Sequence, residues 1–264
     1  MATTYLSRTF GTNNSGVYKW TYSFWIKRGN LGTSQVITTP YVDSNTLGII
    51  RFNATDVLEV YDYQSSFKLR KITNRVFRDT SAWYNIVISS DNSVSSPVFK
   101  LFINGVQETS FSTDTNYSQN QATMFNKNIL NVIGRIPSQE YFDGSISHMH
   151  FIDGTAYDAS TFGSTDATSG EWVINTSPSV TYGTNGFLIM KDGNTITDQG
   201  SNSNDFTLGA GTLTDLQDCP DDVFATWNPL ANQTVAGGTF TTGNNTWQSG
   251  NSYSSYMPTT IGVA

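Results

Sequence analysis

The 264-residue sequence predicts an all-β protein built as an antiparallel β-sandwich. Apolar and polar residues alternate almost throughout, clusters of Gly, Asn, Asp and Ser separate the alternating runs, and no window of a dozen residues has helical spacing. Short strands at regular spacing each have one apolar face to bury. Two antiparallel sheets packed together meet that need.

Residues 20–27 form the first strong element: Trp20, Tyr22, Phe24 and Ile26 alternate with Thr21, Ser23, Trp25 and Lys27, which places the first set on the core face. Residues 47–53, 57–63 and 66–72 follow as strands. Around the last of these, Lys68, Arg70, Lys71, Arg75 and Arg78 interleave with Phe67, Leu69, Ile72, Val76 and Phe77, the pattern of a strand with a solvated face rather than of an anion-binding patch. Residues 83–90 and 99–105 come next, with Tyr84, Ile86, Ile88, Phe99, Leu101 and Ile103 expected inside. Asn104-Gly105 closes the second as hairpin chemistry. Residues 129–134 are a further strand. In residues 141–156 an Asp143-Gly144 turn feeds a strand that runs straight into a second turn at Asp153-Gly154, so this is expected to be the closing strand. A helical turn is expected at 158–162 with Asp158 as its cap, then strands at 172–174 and 186–190.

Composition divides the chain into three. Residues 1–157 are expected to complete the sandwich. In 158–230, Gly, Ser, Asn and Asp dominate and large apolar residues thin out to Trp172, Phe187, Phe206 and Phe224, so this extension is expected to lie against the sandwich. Residues 231–264 hold Phe240, Trp247, Tyr253 and Tyr256 among Thr, Gly, Asn and Ser. Such a tail needs a neighbouring chain or module to order it.

Hydrophobic residues make up 37% of the chain, enough for a core, while charged residues make up only 13%, about half the usual share. The surface is therefore mostly neutral and polar, as in extracellular and virion proteins. A net charge of -7, with 14 Lys and Arg that do not cluster, argues against a nucleic-acid surface. The start of the chain lacks the basic and apolar regions of a signal peptide, and no apolar run has the length of a membrane span, so neither secretion nor membrane insertion is expected. Cys219 is alone, which rules out an intrachain disulfide.

Four motifs in order carry a family resemblance: Tyr22-Ser23-Phe24-Trp25-Ile26-Lys27, Trp83-Tyr84-Asn85-Ile86-Val87-Ile88, Lys100-Leu101-Phe102-Ile103-Asn104-Gly105, and Ile133-Gly134-Arg135 followed by Phe142-Asp143-Gly144. The chain resembles the laminin-G/concanavalin A-like lectin family, which implies a jelly-roll sandwich. The second half narrows this through Phe151-Ile152-Asp153-Gly154-Thr155-Ala156-Tyr157-Asp158, Phe162-Gly163, Trp172, Tyr182-Gly183-Thr184-Asn185-Gly186-Phe187, Ser203-Asn204-Asp205-Phe206 and the run from Asp221 to Asn228-Pro229-Leu230. These segments are similar to structural, tail-fibre-like proteins of marine and cyanobacterial tailed phages. The resemblance implies virion localisation after synthesis in the host cytoplasm. It also implies that the chain continues into a further module.

Candidate chemistry is sparse. A glycoside hydrolase on this fold needs two carboxylates flanking the bond, and the four Glu residues, Glu59, Glu108, Glu140 and Glu171, are dispersed, while Glu59 and Asp62 fall on opposite faces of their strand. No nucleophile motif is present, so no catalytic residue is expected. His148 and His150, two apart on a strand and hence on one face, are weak candidates for a metal. More simply they are hydrogen-bonded strand residues. Asp143, Asp153 and Asp192 sit in Asp-Gly turns; laminin-G relatives sometimes hold Ca²⁺ at the sandwich rim, which makes Asp143 and Asp153 weak Ca²⁺ candidates beside their ordinary role in turns. Trp20, Trp25 and Trp83 are expected as core or sheet-face residues rather than as sugar platforms. Trp247, Tyr253 and Tyr256 are expected to be assembly residues that pack against another subunit.

The expected function is that of a phage virion structural protein, in a tail fibre or other appendage, contributing to host-surface attachment. Its expected partners are other virion proteins, further copies of itself with a trimer favoured, and a host surface glycan. A carbohydrate-binding adhesin is the alternative; a head decoration protein and a glycoside hydrolase rank below it.

Overall fold

The computed structural model describes residues 3–11, 18–193 and 195–223, and the backbone of two short strands, Thr239–Thr241 and Thr246–Gln248. Two antiparallel sheets face each other. The eight-stranded sheet runs in the order β10 (Phe111–Thr115), β6 (Phe67–Val76), β5 (Val57–Gln64), β4 (Thr46–Phe52), β3 (Gln35–Asp43), β11 (Leu130–Ile133), β1 (Tyr5–Thr9), β16 (Thr207–Ala210). The six-stranded sheet runs β15 (Phe187–Ile189), β12 (Gly144–Asp153), β2 (Lys19–Arg28), β7 (Tyr84–Asp91), β8 (Val98–Ile103), β9 (Val106–Gln107). The pair β13 (Gly163–Thr165) and β14 (Trp172–Ile174) stands apart from both, and helix among the described residues is limited to a 3₁₀ turn, Ala159–Thr161.

The inner faces supply the core. Trp20, Tyr22, Phe24 and Ile26 of β2 are each fully buried, and Ile86, Ile88, Leu101, Ile103, Met149 and Phe151 extend that face. Leu6, Ile37, Ile50, Phe52, Leu58, Val60, Leu69 and Ile133 meet it from the other sheet. Ring packing closes one end, with Trp20 and Phe125 centroids 4.4 Å apart and Phe10 stacked on Phe151 at 5.4 Å. Tyr84 and Phe99, also expected inside, are half-buried against the same core.

Several expectations need correcting. The sandwich does not end at residue 157, because the following segment returns twice: β15 pairs with β12 and β16 pairs with β1, adding an edge strand to each sheet. Before those returns, residues 155–182 roof the outer face of the six-stranded sheet. Val87, Phe102, Ile152 and Leu188 pack there against Ala159, Phe162 and Tyr182, with Tyr157, Trp172 and Val180 at the margin. Thr21, Ser23 and Lys27, the polar residues of β2 that alternation assigns to the solvated side, are buried, Thr21 under this roof and Lys27 against Asp218. Thr21 is satisfied in place: its hydroxyl donates to the Thr155 carbonyl at 2.8 Å and accepts from the Tyr157 N–H at 2.8 Å. Asp158 does not cap the 3₁₀ turn with its side chain; its carboxylate instead pairs with the Lys100 ammonium at 2.8 Å.

The basic run is not one solvated face either. Lys71 points inward beside Leu69, is 4% exposed, pairs with Asp114, and holds its ammonium 5.3 Å from the Phe99 and Phe111 rings. Arg75 pairs with Glu108 and Arg78 with Asp56. Phe67 and Val76, expected to alternate into the core, are 41% and 48% exposed. β1, β3, β10 and β16 were not expected as strands. β3 is short on alternation and contains Pro40, yet it is buried at the centre of its sheet.

Candidate functional site

Among the described residues, 155–182 roof the outer face of the six-stranded sheet, and the outer face of the eight-stranded sheet carries partly exposed charged and aromatic side chains. Its centre is an ionic ladder. Glu59 on β5 lies opposite Arg51 on β4 in the strand register, and Arg70 on β6 approaches from the other side. Arg51 donates to Glu59 Oε2 from Nε at 2.9 Å and from Nη2 at 2.8 Å, while Arg70 donates to Oε1 from Nε at 3.0 Å and from Nη2 at 2.9 Å. Both carboxylate oxygens are therefore occupied by planar forks. Arg51 Nη1 also reaches both oxygens of Glu140, at 2.8 and 3.1 Å, which ties the loop after β11 over β4. Burial lowers the affinity of the Arg51 guanidinium for its proton, but Glu59 and Glu140 more than offset this and raise it.

Aromatic rings surround the ladder. Phe67 meets Tyr61 at 5.6 Å and Tyr63 at 5.0 Å, both edge to face, and Arg70 lies 4.5 Å over the Phe67 ring. Arg51 lies 5.6 Å over the Tyr61 ring. Beneath them Val36, Leu47 and Ile49 form a small buried layer, against which Tyr41, Tyr61, Tyr63 and Ile136 pack. The Tyr61 hydroxyl is pushed up to about 12 by burial, so it stays protonated and can both donate and accept. Arg70 Nη1 has no hydrogen bond among the described residues. Toward the β1 edge, Arg135 lies 3.4 Å over the Tyr5 ring and donates to the Tyr141 hydroxyl at 2.9 Å.

The carboxylates weighed for hydrolysis do not form an acid and base pair. Glu59 sits in the ladder on the outer face. Asp62, on the inner face, accepts from the Tyr117 hydroxyl at 2.9 Å and the Met124 N–H at 2.8 Å, and burial raises its affinity for a proton despite those bonds.

The metal candidates are not brought together. A bulge between Ser147 and His150 interrupts the two-residue period of β12, with His148 at φ 47°. His148 Nδ1 shares a hydrogen bond with the Ser147 hydroxyl at 2.8 Å. His150 is buried under the roof, where Nδ1 shares a hydrogen bond with the Tyr182 hydroxyl at 2.9 Å and the ring packs on Phe162. Burial lowers His150 to about 3, helped by His148 and Lys191. Asp153 is buried and accepts from the Asn185 N–H at 3.1 Å, whereas Asp143 and Asp192 are exposed turn residues. Among the described residues no group of three or more His, Cys, Asp or Glu side chains is placed to hold a metal. Trp20, Trp25 and Trp83 are buried. Trp247 lies opposite Phe240 in the Thr239–Thr241 and Thr246–Gln248 hairpin, while Tyr253, Tyr256 and residues 224–238 lie outside the described residues.

A cleft of about 190 Å³ is lined by Ser89, Asp91, Val98, Lys100, Ala156 and Asp158. The Lys100 and Asp158 ion pair crosses it.

Sequence reasoning identified neither the ladder nor its rings as a site. Arg51, Glu59 and Arg70 belong to three different strands, and only the inter-strand register brings them together; Tyr61, Tyr63 and Phe67 fall in a continuous strand-turn-strand stretch, which was the available signal.

Two antiparallel sheets with this topology define a jelly roll of the lectin type. The chain belongs to the concanavalin A-like lectin/glucanases superfamily, whose family model matches residues 3–160. No curated protein matches the sequence. Among solved structures, the chain is similar to a candidate carbohydrate binding protein of Bacteroides ovatus, at 16% identity and a TM-score of 0.49 over 82% of this chain and 59% of that one. It is also similar to domain 4 of AbnA, a GH43 extracellular arabinanase of Geobacillus stearothermophilus solved with arabinotriose, at 18% identity and 0.41 over 53% and 63%. A heptameric SAP-like pentraxin of Limulus polyphemus matches at 13% identity and 0.46 over 72% and 90%. The chain thus spans less than two thirds of the first two of these structures.

Proposed function

We propose that the protein is a non-catalytic structural module of a phage virion, part of a tail fibre or another appendage, and that it contributes to attachment by binding glycans on the host surface. Membership of a lectin and glucanase superfamily supports sugar recognition. The likeness of residues 151–230 to tail-fibre-like phage proteins supports the virion setting. The observation that carries the non-catalytic reading is the state of the two central carboxylates: Glu59 is saturated by two guanidinium groups, and Asp62 faces the opposite side of the same strand. Neither is free to act as nucleophile or general acid on a bond held by the other.

The test pairs localisation with binding. Antibody labelling of intact virions should place the chain on an appendage, and the purified protein should bind members of a glycan array without releasing reducing ends from host-envelope polysaccharide. Hydrolysis that disappears on changing Glu59 or Asp62 would contradict the non-catalytic reading, and an unlabelled virion would remove the structural one.

A further inference from the structure

We propose that the glycan site is the outer face of the eight-stranded sheet at Tyr61, Tyr63, Phe67 and Arg70, and that it takes neutral pyranose chains. This rests on the sugar-binding reading above and gives it a location and a ligand class.

Three observations converge there. The corresponding face of the other sheet is covered by Phe162, Trp172 and Tyr182, whereas among the described residues Phe67 on this face is exposed and Tyr61, Tyr63 and Arg70 are partly exposed. Phe67 keeps 41% of its surface exposed while Tyr61, Tyr63 and Arg70 hold its ring in place, which is the rigid aromatic surface against which the C–H face of a pyranose packs. Beside the ring, Arg70 directs Nη1 away from its two bonds to Glu59, leaving a fixed donor for a sugar hydroxyl at no ordering cost. The charge balance selects among sugars: the guanidinium groups of Arg51 and Arg70 are matched by the carboxylates of Glu59 and Glu140. A locally neutral platform of rings and fixed donors suits stacking and hydroxyl hydrogen bonds, not attraction of an acidic polymer.

The experiment uses the full chain on an array carrying neutral and carboxylate-bearing oligosaccharides, followed by titration of the strongest neutral member. Phe67→Ala and Arg70→Met are each expected to weaken binding on the order of tenfold or more. Lys100→Ala in the separate cleft is expected to bind as the parent does. Affinity is expected to change little between low and moderate salt. Unchanged thermal unfolding of Phe67→Ala, a substitution of an exposed side chain, keeps a loss of binding interpretable. Parent protein that binds no array member overturns both this inference and the sugar-binding reading. Binding that survives Phe67→Ala and Arg70→Met overturns the location alone. Binding confined to acidic glycans, with steep salt dependence, overturns the ligand class. Self-association abolished by Phe67→Ala would assign the face to a second copy instead.

Discussion

Glu59 and Asp62, three residues apart on β5, show how far a side chain's chemistry depends on the face it occupies. Asp62 faces the core, so its charged form is penalised by burial and its proton affinity is raised above the ordinary 3.8. A group shifted upward stabilises the fold below its unfolded value and loses that contribution as the pH rises through the folded one. Asp62→Asn, which retains an acceptor for Tyr117 and Met124, should therefore gain on the parent as the pH rises above the ordinary carboxylate value, measured by urea unfolding at each pH; a constant difference would contradict this. His150 has the opposite sign. Its folded value of about 3 lies below the ordinary 6.5, so between these values the unfolded chain takes up a proton that the folded chain refuses. Stability should be full above about pH 6.5 and fall toward pH 3 by up to about 1.4 kcal/mol per unit. The non-titrating variant His150→Asn should be less stable at pH 7 but lose less on acidification. In the core, Phe24→Ala or Leu101→Ala should cost about 2 to 5 kcal/mol, because each side chain is buried among both sheets.

At the level of elements, the roof over the six-stranded sheet is held by specific fits. Trp172 on β14 donates from Nε1 to the Asn85 side chain at 3.0 Å and lies so close to Gly105 that a Cβ there would fall 2.2 Å from its ring. Gly105 also has φ 76°, so both the turn and the ring require glycine. Trp172→Ala should destabilise by about 3 kcal/mol or more and raise hydrogen exchange at the roof before the rest of the sandwich; uniform exchange would contradict a separately held roof. A second clamp lies at the far end of β2, where Lys27 and Asp218 form a buried ion pair at 2.8 Å and the Trp83 indole donates to the same carboxylate at 3.1 Å. It ties a segment 191 residues away to the sheet. The neighbouring Arg28 is fully buried against Asp56 at 3.0 Å. Removing Asp56 strands that charge, so Asp56→Ala should cost about 3 to 5 kcal/mol by chemical denaturation.

For the whole molecule, the edge strands β15 and β16 make the sandwich depend on residues well beyond 157. A chain ending at Tyr157 would expose the β12 edge that β15 covers and the sheet face beneath the roof, and should fail to unfold cooperatively. A chain ending at Leu230 keeps both returns and the Lys27 clamp. It should retain the fold while losing self-association or incorporation into particles, since Trp247, Tyr253 and Tyr256 are the proposed assembly residues. Sedimentation of the two chains separates these outcomes, and assembly unchanged without residues 231–264 would remove the tail from that role.

Period-two patterning and turn chemistry were enough to specify the sheet sandwich, the burial of Tyr22, Phe24, Ile26, Ile86, Ile88 and Leu101, and the strands at 172–174 and 187–189, because these depend on neighbours a few residues apart along the chain. The same local pattern misassigned Thr21, Ser23, Lys27 and Lys71, since whether a polar strand residue is buried depends on what packs over its sheet, and those layers come from segments more than a hundred residues away or from another strand. β3 escaped notice because a strand buried on both faces has no alternation to display. The ladder of Arg51, Glu59 and Arg70 was likewise decided by the tertiary structure alone: strand pairing, not spacing in sequence, determines which charges meet.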